Sequence, residues 1–233
     1  MSNDTTILVL SRYSDIFEGL QENLNLFAPT IPRVLVKDGH LIDSDKDWLV
    51  EEGPSGKFNY ATNVNRGLNR LGSKCDVLLL GDDVRFHEPI TVETLRYFAY
   101  AESTIGLLSP KIIGASDNPL QTDPPMGPVF SYSERYIPLV CTYIKREVLN
   151  KVKGLDEETF REGWGWDDVD FSRRVRLAGY SLAVTSRVSV IHGLRRKGSE
   201  TLIRNERGSS ESMDALDAIN AKAYFDKWGD NKK

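Results

Sequence analysis

The feature that most constrains the fold is an alternation of short apolar segments with segments of helical periodicity. Ile7–Leu10, Arg33–Lys37 and Asp76–Leu80 are short, apolar or rich in β-branched residues, and predict buried strands. Between them, Ile16–Phe27 and Asn59–Leu71 carry apolar residues at the spacing of an amphipathic helix. Strands that alternate with helices form a mostly parallel sheet whose faces are covered by those helices. The sequence therefore predicts an α/β fold.

The rest of the chain continues this pattern with one long interruption. Residues 114–137 contain four prolines with Gly, Ser and Asp, and predict a long loop of the kind that often acts as a lid. The other predicted strands are Thr104–Leu108 (closed by Ser109-Pro110), Pro138–Ile144, Ser181–Thr185 and Val188–Ile191. The other predicted helices are Thr91–Ala101, Lys145–Val152, Asp167–Ala178 and Asp214–Trp228. Because no linker interrupts the chain, residues 1–233 are expected to form one domain.

Polar side chains follow three of the predicted strands, namely Ser11-Arg12, Asp38 and Asp82-Asp83. Ligands of parallel sheets bind beyond the carboxyl ends of the strands, so this convergence is a first indication of a site. The adjacent carboxylates of Asp82 and Asp83 repel each other and favour a nearby cation. A hard cation such as Mg²⁺ takes oxygen ligands and bridges carboxylates to phosphates. A solvated turn with an Asp at a helix N-cap explains the same two residues equally well.

The most specific stretch is Gly163–Asp170, whose first four residues are Gly-Trp-Gly-Trp. This composition fits neither a helix nor an ordinary strand, since glycine permits positive φ and close approach to a ligand. Trp164 and Trp166 offer flat apolar faces that suit stacking on a sugar ring. Asp167 and Asp168 then begin a helix, and Asp168 is a candidate general base for an acceptor hydroxyl. The alternative is an aromatic-stapled helix start without catalysis.

A histidine and a basic cluster follow the last predicted strand. A single histidine is usually structural, but imidazole is an acceptable ligand for Mn²⁺, so His192 gains weight if the fold brings it to Asp83. Arg195-Arg196-Lys197 can bind a leaving diphosphate, which gains charge as a glycosidic bond breaks. The same cluster can equally contact an anionic acceptor or only solvent.

Composition excludes several classes of function. The formal net charge of −4 gives no general attraction to nucleic acid or anionic membranes, although residues 195–207 hold five Lys or Arg. No apolar run approaches the about 20 residues that span a bilayer. The N-terminal residues lack the basic and apolar regions of a signal peptide. A soluble cytoplasmic enzyme without membrane insertion is the expectation.

Taken together, the landmarks over roughly residues 7–195 resemble the inverting glycosyltransferase family 2 and its relatives of GT-A fold. The second strand with Asp38 resembles the segment whose Asp contacts the uracil of the donor. Asn65, in the stretch Asn-Arg-Gly, resembles the Asn-x-Gly helix start that precedes the metal motif. Ser11 and Arg12, which end the first strand, are expected to hold the nucleotide with them.

The metal motif and its partner histidine also have counterparts in that family. Leu80–Val84 resembles the Asp-x-Asp motif, with Asp83 in the metal-ligand place and Asp82 near the donor ribose or sugar. The chain departs from the pattern at Gly81, where many members have Asp or Asn. His192 matches the histidine that completes the metal site in several members.

The acceptor motif resembles a stretch of another group of GT-A enzymes. Gly163–Asp170 is similar to the Trp-Gly-Gly-Glu-Asp stretch of β-1,4-galactosyltransferases and to the Glu-Asp motif of family 2. Matching places Asp168 as the catalytic base, and Asp167 replaces the usual Glu. Trp164, Gly165, Trp166 and Asp167 would then contact the sugar and the acceptor.

The resemblance implies a Rossmann-like nucleotide-sugar-binding GT-A fold and a metal-dependent, inverting transfer with Mn²⁺ or Mg²⁺. The expected donor is a nucleotide-diphosphate sugar, with UDP as the nucleotide, and the acceptor is a saccharide, a protein or a modified nucleic-acid base. About 1–110 would bind the donor, about 111–200 the acceptor, and about 201–233 would form a C-terminal helix and tail. A nucleotidyltransferase that makes a nucleotide sugar and a non-catalytic sugar-binding domain of the same fold remain alternatives.

Overall fold

A mixed sheet runs through the middle of the molecule, and helices cover both of its faces. This computed structural model describes residues 4–38, 44, 46–53, 58–161, 163–193 and 213–229. The strands are β1 Thr5–Ser11, β2 Arg33–Lys37, β3 Trp48–Glu52, β4 Asp76–Gly81, β5 Arg85–Phe86, β6 Ile105–Gly114, β7 Phe130–Tyr132, β8 Cys141–Ile144 and β9 Ser181–His192. The helices are α1 Ser14–Phe27, α2 Tyr60–Leu71, α3 Thr91–Ala101, α4 Pro119–Thr122, α5 Arg146–Val152, α6 Asp167–Leu177 and α7 Met213–Trp228.

The strand order across the sheet is β3-β2-β1-β4-β8-β6-β9-β5, and β7 pairs with β9. Strands β3, β2, β1 and β4 are parallel, as the alternating pattern predicts, so their carboxyl ends meet at one edge. Strand β8 runs antiparallel to β4 and β6, whereas β6 and β9 are parallel. The short strands β5 and β7 run antiparallel to β9.

The core lies on both faces of this sheet because successive strand residues point to opposite faces. Ile7 and Val9 of β1 belong to one apolar cluster together with the buried side chains of α1 and α3. Leu8 and Leu10 belong to a second cluster with those of α2, α5 and α6. The molecule is therefore a sheet between two helical layers, and the strand ends at its edge remain for a site.

Two strand predictions were too short. The strand predicted to stop at Ser109-Pro110 continues as β6 to Gly114, and the two segments predicted within 181–191 form the single strand β9. The pairing of β6 with β9 shifts register between Pro110 and Lys111. A β-bulge at this place accommodates the proline, which has no amide proton for the ladder.

The predicted loop over residues 114–137 is not structureless, since it contains α4 and β7. Strands β3 and β5 were not predicted at all. Strand β5 has only two residues, and β3 carries two glutamates on the edge of the sheet, so neither leaves an apolar pattern that is distinct from a loop.

Candidate active site

Contacts between neighbouring strand ends assemble the first part of the site. The Ser11 hydroxyl donates to Asp82 at 2.8 Å, which ties the end of β1 to the end of β4. The Arg12 guanidinium pairs with Asp38 at 2.9 Å and ties β1 to β2. Both members of this ion pair are buried, so each charge depends on the other for compensation. The structure therefore brings together the residues that were predicted at three separate strand ends.

Asp83 and His192 meet although more than a hundred residues separate them in the chain. Strand β5 turns back beside β9 and pairs Arg85 with Ile191, which places His192 Nε2 3.2 Å from Asp83 Oδ1. His192 Nδ1 donates to the backbone carbonyl of Ala115. In a neutral imidazole the remaining nitrogen Nε2 is then an acceptor that faces a carboxylate. Two acceptors in contact require a shared proton or a cation, so this pair fits a metal ion.

The described residues offer few protein ligands for such a metal ion. Within the residues that the structure describes, no group of three or more His, Cys, Asp or Glu side chains is placed to hold a metal ion. A side chain at Gly81 would bring its Cβ to 3.3 Å from Asp83 Oδ1, so glycine leaves this carboxylate room. Mg²⁺ and similar cations commonly take the rest of their ligands from substrate phosphates and water.

The turn that carries the acceptor motif has the backbone that its glycines predict. Gly163 and Gly165 have φ of 59° and 103°, and Trp166 shares the left-handed region with φ of 67°. Gly163 donates to the Phe58 carbonyl at 3.1 Å and accepts from Tyr60 at 2.8 Å, which fastens the turn to the start of α2. Helix α6 begins directly after this turn.

Asp167 and Asp168 occupy the first turn of α6, where each accepts from the next backbone amide. Burial raises the pKa of the Asp167 carboxyl above its ordinary value. Burial, and then the Asp167 charge, raise the pKa of Asp168. The first turn of a helix favours carboxylates, but here desolvation and like charge outweigh it. Asp168 is therefore a carboxyl group suited to accept a proton.

Further polar groups surround Asp168 and were not predicted. Asp117 adds its negative charge to those of Asp167 and Asp168 and also raises the pKa of Asp168. Burial, together with the Asp168 carboxylate, raises the pKa values of Tyr60 and Tyr136. Asp117 lies two residues beyond Ala115, whose carbonyl accepts from His192. The short segment 115–117 thus connects the Asp83–His192 pair to the surroundings of Asp168. No sequence pattern marks this segment, because its role depends on the ends of β6 and β9 being neighbours.

The two tryptophans of the motif contact other aromatic side chains. The Trp164 ring packs edge-on against Phe58, with the ring centroids 6.0 Å apart. The Trp166 indole donates to Asp217 of α7 at 2.9 Å, and its ring lies 5.3 Å from those of Tyr224 and Phe225. Helix α7 therefore covers part of Trp166, the residue that was predicted to face a sugar or an acceptor.

Asn65, which was predicted to bind the donor, makes two hydrogen bonds to the backbone of Leu155. Its amide donates to the Leu155 carbonyl at 2.9 Å and its side-chain oxygen accepts from the Leu155 amide at 3.0 Å. These contacts join α2 to the loop after α5. The predicted basic cluster Arg195-Arg196-Lys197 and Gly39 lie outside the described residues. Among the helices that the structure describes, none combines the length and apolarity needed to cross a bilayer.

Comparisons with known proteins identify structural relatives only. No protein-family model matches the sequence, and no curated protein matches it significantly. Mannosyltransferase PcManGT from Pyrobaculum calidifontis, solved with GDP-Man and Mn²⁺, has a TM-score of 0.63 at 13% identity, covering 97% of this chain and 70% of that one. GalNAc-T7 with UDP, GalNAc and Mn²⁺ has a TM-score of 0.66 at 12% identity over 84% of this chain.

The chain spans only 44% of the GalNAc-T7 chain. A third structure, a mycobacterial protein, has a TM-score of 0.61 at 11% identity, covering 99% of this chain and 76% of that one. At these identities the likeness concerns the fold. Together with the central sheet and its two helical layers, it confirms the predicted α/β fold of GT-A type.

Proposed function

We propose that this protein is a metal-dependent, inverting glycosyltransferase that moves a sugar from a nucleotide-diphosphate sugar, expected to be a UDP-sugar, to an acceptor hydroxyl. The observation that carries the proposal is the Asp83–His192 pair at the edge of the sheet. Ser11 and Asp82 meet at the same edge, and segment 115–117 leads from the pair to Asp168. The GDP-Man, UDP and Mn²⁺ bound to the structural neighbours support the same assignment.

The donor nucleotide binds across the ends of β1, β2 and β4. Asp38 accepts a hydrogen bond from a ring N–H of the base, and Arg12 orients that carboxylate by pairing with it at 2.9 Å. Ser11 and Asp82 hold the ribose or the sugar. Because these contacts between strand ends exist before the donor arrives, little ordering is required on binding.

Asp83 and His192 are the residues that would hold the divalent cation, Mn²⁺ or Mg²⁺. A carboxylate oxygen and an imidazole nitrogen suit Mn²⁺ in particular. When bound, such a cation would neutralise the negative charge that the diphosphate gains as it leaves. The Ala115 carbonyl fixes the imidazole so that Nε2 faces Asp83.

Asp168 is the general base of the transfer. Its carboxylate accepts the proton of the acceptor hydroxyl while the hydroxyl oxygen forms a bond to the anomeric carbon. The bond from that carbon to the diphosphate oxygen breaks, and the diphosphate departs with the electron pair. Attack from the face opposite the leaving group inverts the anomeric configuration. Trp164 and Gly165 line the acceptor subsite, and Asp167 adjoins it.

Hydrolysis of nucleotide sugars provides the direct test, because water can take the place of the acceptor. A panel of UDP- and GDP-sugars with Mn²⁺ is expected to include at least one donor that the protein hydrolyses slowly. Asp168→Asn removes the proton acceptor at nearly unchanged shape, and we expect unaltered donor affinity with hydrolysis reduced by about 100-fold or more. The control is Asp226→Asn, which alters an exposed ion pair with Lys222 on α7.

Unchanged hydrolysis by Asp168→Asn would contradict the base assignment. A protein that releases pyrophosphate from a nucleoside triphosphate and a sugar phosphate would instead be a nucleotidyltransferase. Nucleotide-sugar binding without any turnover would indicate a non-catalytic sugar-binding domain.

A further inference from the structure

The C-terminal helix α7 has no part in the proposed reaction. One face of this helix lies against the turn 163–166 that precedes Asp168. Asp217 accepts from the Trp166 indole at 2.9 Å, and Asn220 donates to the Trp164 carbonyl at 3.1 Å. Asp217 and Asn220 are three residues apart, so they occupy the same side of the helix. Two residues on one side of α7 thus contact the side chain of one turn residue and the backbone of another.

The turn requires such contacts because of its backbone. Trp166 adopts φ of 67°, a left-handed conformation that a bulky residue other than glycine rarely takes. Such a conformation persists only where the surrounding structure determines it. The Trp166 carbonyl accepts from the Asp170 amide of α6 at 2.9 Å, but its side chain does not cap the helix. The side chain is held by α7 instead, through the rings of Tyr224 and Phe225, each 5.3 Å away, and the Asp217 carboxylate.

Helix α7 is itself anchored to α6 by a buried charge. Asp170 is fully buried and accepts from Lys227 at 2.6 Å and from the Trp228 indole at 2.9 Å. The Arg173 guanidinium lies over the Trp228 ring at 4.2 Å. The end of α7 is therefore fixed to α6, while its middle contacts the turn in front of α6.

We propose that Asp217 and Asn220 are positioning residues, which hold Trp166 in its left-handed conformation and thereby set the place of the Asp168 carboxylate. The inference rests on the proposed function, in which Asp168 is the base. It makes these two residues of α7 supports for the turn and gives Trp166 a supporting role beside the acceptor. Displacing a reacting group by about 1 Å can lower a rate by about 100-fold, so small shifts of this turn matter.

The test compares variants that remove these contacts with one that keeps them. Asp217→Leu and Asn220→Leu each abolish one contact, and we expect kcat for donor hydrolysis to fall by about 5- to 10-fold. The donor KM should stay within about twofold, because the contacts removed are with the turn 163–166 and not with the strand ends that bind the nucleotide. Asp217→Asn retains an acceptor oxygen and should keep most of the wild-type kcat. Asp226→Asn, on the exposed side of the same helix, is the matched control.

A second measurement does not depend on activity. The Asp170 amide donates to the Trp166 carbonyl at 2.9 Å, so hydrogen exchange at this amide reports the order of the turn. Asp217→Leu, an exposed substitution that leaves the core intact, should accelerate exchange there and leave β1 and β4 unchanged. Asp226→Asn should alter neither region.

Wild-type kcat and unchanged exchange in both leucine variants would overturn this inference while leaving the proposed function intact. A loss in Asp217→Asn equal to that in Asp217→Leu would also overturn it, because the contact would then not be the cause. Wild-type protein that turns over none of the donors overturns the proposed function, and with it any positioning of a base.

Discussion

At the scale of single residues, the environment of Asp168 determines what the site can do. A carboxyl group at the start of a helix is ordinarily stabilised in its charged form. Burial and the neighbouring Asp167 reverse this tendency, and Asp117, Tyr60 and Tyr136 complete the surroundings. The raised pKa makes Asp168 a stronger proton acceptor than an exposed aspartate, which is what a general base requires.

This environment predicts the pH dependence of donor hydrolysis. The base acts only when ionised, so kcat should fall as the pH drops through the raised pKa of Asp168. Asp117→Asn removes a negative charge that opposes ionisation, so the pKa of Asp168 should fall and the acid limb should move to lower pH. The measurement is kcat against pH for wild type, Asp117→Asn and Asp226→Asn. A limb that stays in place or moves to higher pH would contradict this electrostatic account.

Another residue-scale prediction concerns Asn63 on the buried side of α2. Its side chain is completely buried, and within the described part of the chain neither of its polar atoms has a hydrogen-bond partner. A buried unpaired amide destabilises the fold by about 1–3 kcal/mol. Asn63→Leu, of similar volume, should therefore raise the free energy of unfolding by on the order of 1 kcal/mol.

Urea denaturation at constant m-value measures this change. Asn63→Asp provides the contrast, since it places a charge in the same buried position and should destabilise the protein. A lower midpoint for Asn63→Leu than for wild type would show that the amide has a partner that stabilises it.

At the scale of secondary-structure elements, the side chain of Asn65 joins a helix to a loop. The side chain bridges to both polar atoms of the Leu155 backbone and holds the loop after α5 against α2. Asn65→Leu would leave both backbone groups without this partner. We expect a loss of about 1–3 kcal/mol in the free energy of unfolding.

Nucleotide affinity separates this assembly role from the donor contact predicted from the sequence. We expect the Kd for UDP in the presence of Mn²⁺ to remain within about twofold of wild type in Asn65→Leu, since the contacts of the side chain lie away from the strand ends. Isothermal titration of both proteins checks this. A tenfold weaker Kd would instead support the predicted donor contact of Asn65.

The sequence predicts elements whose pattern is local and misses those that depend on a partner. Strand β2 and helix α3 have the predicted bounds, because apolar spacing and stop residues within each segment determine them. Strand β5 exists only because β9 lies beside it. The bulge that carries β6 past Pro110 likewise arises from its pairing with β9. Long-range pairing of this kind leaves no signal in a single sequence.

The same distinction holds for the site. Asp82, Asp83, Asp168 and His192 follow predicted strands or begin a predicted helix, so their chemistry could be inferred from position and type. Their mutual contacts, and the part played by Asp117, depend on which strands are neighbours. The contacts of α7 with the turn 163–166 could not be predicted either, since residues more than 50 positions apart share no periodic pattern.

At the scale of the whole molecule, the sheet order explains why side chains from distant parts of the chain meet at one edge. Strands β1, β2 and β4 end at the edge where Ser11, Asp38 and Asp82 meet. Strand β9 runs parallel to β6 and ends at the same edge, where β5 pairs with it beside His192. A ligand that contacts Asp83 and His192 together therefore joins segments more than a hundred residues apart and should stabilise the entire fold.

This coupling predicts a metal-dependent thermal shift. A ligand at 100 times its Kd stabilises the native state by about 2.7 kcal/mol, which corresponds to a Tm increase of about 5–10 °C for a chain of this size. We expect this increase with UDP and Mn²⁺ together, and a much smaller one with UDP and EDTA. Asp83→Asn replaces the charged ligand and should reduce the Mn²⁺-dependent part, whereas Asp226→Asn should retain it. An equal shift with and without Mn²⁺ in the wild type would mean that the nucleotide binds without a cation, and would separate Asp83 and His192 from donor binding.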